Sequence, residues 1–110
     1  QFNLLIRDNA NNLGGPYNSG VVVSDGKWHQ IVAVRDTTAE TVTLYVDGVK
    51  TASFSYPYTD AIDTVGGSIV QNTIPHEGDA YAGSGSIDDV RVYNRALSAS
   101  EVKQLYNLGR

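Results

Sequence analysis

The chain has 110 residues, 12 acidic against 8 basic side chains and a net charge of −4, enough for one modest domain with a thin core. Its pI near 4.8 and its scattered Lys and Arg argue against nucleic acid and against an anionic membrane surface, which both need clustered cations. No run approaches the roughly 18 apolar residues of a membrane span, and the lack of cysteine removes disulfides, thiolate zinc sites and thiol chemistry.

The predicted elements are strands separated by turn chemistry. Phe2, Leu4 and Ile6 alternate with Asn3, Leu5 and Arg7, a period of two with one exception. Residues 8–20, DNANNLGGPYNSG, read as a polar loop whose Asn and Gly tolerate left-handed turns. A short strand, VVVS, is predicted at 21–24, a tight turn, SDGK, at 24–27, and a strand, WHQIVAVRD, over 28–36. There Trp28, Val32 and Val34 share one face and Ile31 and Ala33 the other. Apolar residues on both faces predict an interior strand covered on two sides, with Trp28 in the core.

In TVTLYVDG, residues 41–48, Val42, Leu44 and Val46 face one way and Thr43 and Tyr45 the other. Asp47-Gly48 then predicts a hairpin into VKTASF, 49–54, because Asp-Gly between alternating strands is a strong hairpin signal. Residues 55–67 form a long connection in which Pro57 breaks any ladder. SIVQ, 68–71, reads as a strand, and 72–85 as a loop with a short strand near Tyr81.

The last strand predicted is SIDDVRVY, 86–93, followed by a helix. Ser98 opens it as N-cap, and Glu101 three residues later completes a capping box. Leu97, Val102, Leu105 and Tyr106 form its apolar stripe, and Gly109 ends it. Strands at roughly ten-residue spacing predict an antiparallel sandwich with the helix against it. With no repeat and no linker, residues 1–110 read as one domain.

DGKWHQIVAVRD, TLYVDGVK and above all GSIDDVRVYNRALSASEVKQLY resemble the concanavalin A-like lectin/glucanase superfamily in its laminin G-like branch, over about residues 17–107. The resemblance implies an all-β fold, an antiparallel jelly-roll-like β-sandwich with one short C-terminal helix. It also implies an extracellular or cell-surface setting, glycan or protein ligands and often a calcium ion. Members of this branch run longer, and the family's N-terminal strands, which complete both sheets, lack a counterpart here. With no methionine, even at position 1, Gln1 reads as a processed or excised terminus of a secreted protein. Three explanations stay open: a compact minimal version, a proteolytic product, or a subunit whose missing strands come from a neighbour. The last is β-strand addition, and head-to-tail repetition of it generates rings or filaments.

An enzyme is disfavoured. Glycoside hydrolysis needs two carboxyl groups roughly 5–10 Å apart, and among Glu40, Glu77 and Glu101 none lies in an acidic strand motif. Glu77 with Asp79 is the only acidic loop pair of suitable spacing, while Glu101 is explained by capping. His29 reads as structural, and His76 has no Ser or Asp partner in sequence. For calcium, which takes carboxylates and loop carbonyls, the candidates are Asp60, Asp63, Asp79 and Asp88. The resemblance singles out Asp88, whose alternative role is a hydrogen bond tying down the preceding loop. For glycan or protein contact the candidates are the loop aromatics Tyr17, Tyr56, Tyr58 and Tyr81 with His76, since sugar faces stack on rings. Loop tyrosines equally cover sheet edges.

Two functions follow as expectations. One is a non-catalytic extracellular binding or adhesion module for a glycan or an extracellular protein. The other is a self-assembling structural subunit, a homo-oligomer or filament in which neighbouring copies donate strands.

Overall fold

The computed structural model describes residues 2–62 and 86–109. They form β1 (Asn3–Arg7), β2 (Leu13–Asn18), β3 (Ile31–Asp36), β4 (Thr41–Val46), β5 (Val49–Ser55) and α1 (Ala99–Leu108). β1 and β2 pair antiparallel in one sheet, and β3, β4 and β5 form a second in that order. The predicted strands at 68–71 and near Tyr81 fall outside the described residues.

β4 organises both halves of the core, because alternate side chains leave a strand on opposite faces. Val42 and Leu44, fully buried, pack with Ile6 and Tyr56, flanked by Phe2, Leu4, Tyr17 and Phe54. On the opposite face Tyr45 joins Val34, Leu97 and Val102, with Val32 and Leu105 at the margin. The order of layers is therefore β1–β2, then β3–β4–β5, then α1. Burying a Leu or Val side chain of this kind contributes about 1.5–3 kcal/mol.

The helix forms as its sequence dictates. Ser98 Oγ accepts the Glu101 N–H at 3.2 Å, and a Glu101 carboxylate oxygen accepts the Ser98 N–H at 3.0 Å. Glu101 also receives the Arg95 guanidinium through a second pair of bonds, one of 2.8 Å. The Arg95 hydrogen bond and the Ser98 N–H hold the Glu101 carboxyl down at about 2. At the other end, Gly109 closes the helix through bonds of 3.2 Å to the Leu105 and Tyr106 carbonyls, in a right-handed conformation.

Asp47 and Gly48 take positive φ, 53° and 78°, the left-handed pair of a two-residue hairpin turn. Val46 and Val49 close it. A side chain at Gly48 would meet Tyr106 and Lys103 at 3.1 Å, so α1 sits directly on the turn.

Six expectations are corrected. Within the predicted loop 8–20, Leu13–Asn18 is a strand, because β1 offers it a ladder from Asn3↔Asn18 to Arg7↔Leu13. That pairing overrides the weak strand preference of Gly-Gly-Pro. Residues 21–24 form no strand: Ser19 Oγ accepts the Val21 N–H and donates to the Val21 carbonyl, a local alternative to a ladder. Residues 28–36 become strand only from Ile31, since the Gln30 N–H goes to the Asp47 carboxylate at 2.9 Å. Trp28, outside the strand, is 71% exposed instead of buried. Finally, residues 86–93 hold no strand, and Asp89 sits at φ 53°. Among the described residues no neighbour offers them a ladder, and the strand buried on both faces is β4, not β3.

Asp8 is a buried carboxylate that the sequence reading missed. It accepts the Ala10 and Asn12 N–H groups at 3.0 and 2.9 Å and the Asn12 side-chain amide at 2.9 Å. Burial pushes its pKa up, yet the hydrogen bonds from Asn12 and Ala10 and the Arg35 charge bring it below the ordinary value.

Candidate functional site

Three of the four predicted tyrosines, Tyr17, Tyr56 and Tyr58, lie in one region of the described residues. β2 carries Tyr17, and the chain leaving β5 carries Tyr56 and Tyr58. Tyr17 stacks on Phe54 with ring centroids 4.7 Å apart, and Tyr56 meets Tyr58 edge-on at 5.2 Å. Yet Tyr56 is only 2% exposed, and its hydroxyl donates to the Asn12 carbonyl at 2.9 Å. Burial raises its pKa, with the Asp8 charge adding to the effect. Its place as a ligand contact is therefore corrected: Tyr56 is a strut joining β5 to the β1–β2 turn. Tyr17 is half-buried, its phenol raised by burial and then by Tyr58. Tyr58, 41% exposed, is the most open to solvent of these three rings. His76, Tyr81, Asp63 and Asp79 fall outside the described residues.

Arg35 fixes this region. Its Nη2 donates to the Tyr58 and Asp60 carbonyls at 2.9 and 2.6 Å, and its guanidinium lies 5.3 Å from the Tyr56 ring centre. Its Nε is buried without a hydrogen-bond partner among the described residues. Beside it, between the sheets, opens a cleft of about 300 Å³ whose lining includes Leu5, Ile6, Ala33, Val42 and Ile62. Leu5 and Ile62 are exposed there, and Ile31 is exposed at the start of β3.

Along this cleft runs the outer edge of β3. Asp47 donates its N–H to the Gln30 carbonyl at 2.9 Å, so Gln30 and Asp47 are a hydrogen-bonded pair. Such pairs alternate along an antiparallel ladder. Val32, Val34 and Asp36 consequently bond into β4, opposite Tyr45, Thr43 and Thr41. The N–H and C=O groups of Ile31, Ala33 and Arg35 point outward, and no strand pairs with them among the described residues.

At the far end of β3 a histidine bridges two turns. His29 Nδ1 lies 2.7 Å from Asp47 and Nε2 2.8 Å from Asp25. The hydrogen bonds of Asp47 and then Asp25 raise the imidazole pKa, and the same His29 contact leads the lowering of Asp25. Only the imidazolium donates from both nitrogens. The sequence hint was that both acids stand in Asp-Gly turns; the partner was not readable.

The carboxylates expected to hold calcium do not converge among the described residues. Asp60 is exposed and its carbonyl already faces the Arg35 cation, while Asp88 accepts the Asp89 N–H at 2.8 Å. No group of three or more His, Asp or Glu fit for a metal occurs among the described residues.

Two antiparallel sheets and a capped terminal helix define an all-β sandwich protein. The family model described as the concanavalin A-like lectin/glucanases superfamily, of laminin G type, matches residues 2–103, and the chain belongs to that superfamily. Among solved structures, a 2.1 Å crystal structure of an S-layer domain-containing protein (residues 221–444) from Clostridium thermocellum is similar, with a TM-score of 0.56 and 28% identity. The match covers 79% of this chain and 42% of that one, so the chain spans less than half the length of that structure. No curated protein matches.

Proposed function

We propose that this chain is a non-catalytic extracellular module that works by binding, and that its ligand is an extended protein segment laid along β3. One observation carries the reading: the outward N–H and C=O groups of Ile31, Ala33 and Arg35 border an apolar cleft. An extended segment would add backbone hydrogen bonds to that edge and place alternate side chains in the cleft. The superfamily and the S-layer domain-containing neighbour support a cell-surface setting. Panning a random peptide library should enrich sequences that alternate apolar and acidic residues, with binding lost in Arg35→Glu. Enrichment of no peptide, or peptides indifferent to Arg35→Glu, would remove the reading.

A second reading rests on Tyr58, an exposed ring set on Tyr56 and next in space to half-buried Tyr17. Rings so placed accept sugar faces. A glycan array with and without calcium, repeated on Tyr58→Ala, tests it: binding that survives the substitution places the ligand elsewhere.

A further inference from the structure

We infer that the segment laid along β3 is residues 86–93 of a second copy of this chain, an inference that rests on the proposed use of that edge. Three observations meet here. First, residues 86–93 are exposed throughout and form no ladder with the described residues, although Ile87, Val90, Val92 and Tyr93 are apolar and Val92 is 91% exposed. An exposed segment of that kind is itself a pairing hazard unless something covers it.

Second, the exit of the segment is anchored. Leu97 is buried against the Val34 and Val102 cluster, and Arg95 is locked to Glu101. With that anchor in place the segment forms no ladder with its own β3, and a second copy offers the same edge, unpaired among the described residues.

Third, one register matches the two surfaces in apolar pattern on the helix side and pairs Asp89 with Arg35 on the cleft side, where Arg91 falls opposite Ala33. The antiparallel register that sets Asp89 opposite Arg35 also sets Val90 opposite Val34, Val92 opposite Val32 and Tyr93 opposite Ile31. Asp89 then faces the guanidinium whose Nε is buried and unpartnered among the described residues. The valines extend the layer already formed by Val32, Val34 and Leu97. Cross-strand β-branched and opposite-charge pairs are the stabilising unit of a sheet. Pairing also requires Asp89 to leave its left-handed conformation for an extended one. Reciprocal exchange closes a two-fold dimer, whereas one-way donation continues into a filament.

The chain has no cysteine, which makes the register testable by disulfide trapping. Residues facing each other across a hydrogen-bonded antiparallel pair have Cα atoms about 5.5 Å apart, inside the disulfide range. The Ala33→Cys/Arg91→Cys variant should oxidise to a covalent dimer or ladder. In light scattering the unmodified chain should exceed the 11.8 kDa of one copy, and Val92→Lys, a change at an exposed position, should return it to that mass. A monomer at every concentration overturns the inference, as does a multimer that Val92→Lys leaves intact. If the chain is monomeric while unrelated library peptides still protect the Ile31, Ala33 and Arg35 amides from hydrogen exchange, self-pairing fails and the edge keeps its proposed use. Failure of both removes the edge itself.

Discussion

Tyr56 donates its hydroxyl to the Asn12 carbonyl at 2.9 Å across 44 positions of sequence, and its ring covers Gly14 so closely that a methyl there would lie 2.6 Å from it. The bond joins the two sheets at one end of the core. Tyr56→Phe keeps the ring and strands the carbonyl, which should destabilise the fold by about 1–2 kcal/mol. Gly14→Ala drives a methyl against Tyr56 and the Tyr17 hydroxyl and should cost about 1–3 kcal/mol. Denaturant unfolding of both variants checks this, and unchanged midpoints would show that the strut carries no load.

Trp28 and Leu44 separate what the sequence could tell from what it could not. Both are large apolar residues in strand-like patterns, yet Leu44 has no exposure and Trp28 is 71% exposed. Leu44→Ala should therefore cost about 2–5 kcal/mol, and Trp28→Ala should stay within about 0.5 kcal/mol. Calorimetry of the two variants side by side decides it; a large loss at Trp28 would mean that the ring is covered in the molecule in solution.

The contrast has a physical origin. Period-two alternation with an Asp-Gly turn made β4 and β5 legible, and a capping box made α1 legible, because these signals act over a few residues. β2 was not legible, since Gly-Gly-Pro becomes a strand only when β1 supplies the partner. Residues 86–93 show the converse, a good strand pattern with no ladder among the described residues. The aromatic cluster was half legible: loop tyrosines marked the place, but the role of Tyr56 depends on Asn12 and Arg35, both remote in sequence.

Ser98 should matter to α1 more than any other exposed side chain before it. It satisfies the Glu101 N–H and has its own N–H satisfied in return. Ser98→Ala should lose about 1 kcal/mol. Glu101→Gln keeps an acceptor for the Ser98 N–H and gives up only the ionic part of the Arg95 contact, so it should be milder than Glu101→Ala. Circular dichroism melts rank the three; equal losses for Gln and Ala at position 101 would show that the capping box contributes nothing.

Stability should also pass through a maximum in mildly acidic solution. His29 has its pKa raised by Asp47 and Asp25, so its contribution is complete below its unfolded value of about 6.5 and is lost as pH climbs through the folded value. Asp8, Asp25 and Glu101 shift the other way, Glu101 to about 2. Their contributions are present above the unfolded values near 4 and are lost as pH falls through the folded ones. The melting temperature should therefore be highest between about pH 5 and 6.5 and decline on both sides. Replacing His29 by Gln should abolish the alkaline decline and leave the acid limb, and its ring signals in a proton NMR titration should move with a midpoint above 6.5. An alkaline limb untouched by His29→Gln would transfer that decline to other groups and leave the bridge between the two turns without a role in stability.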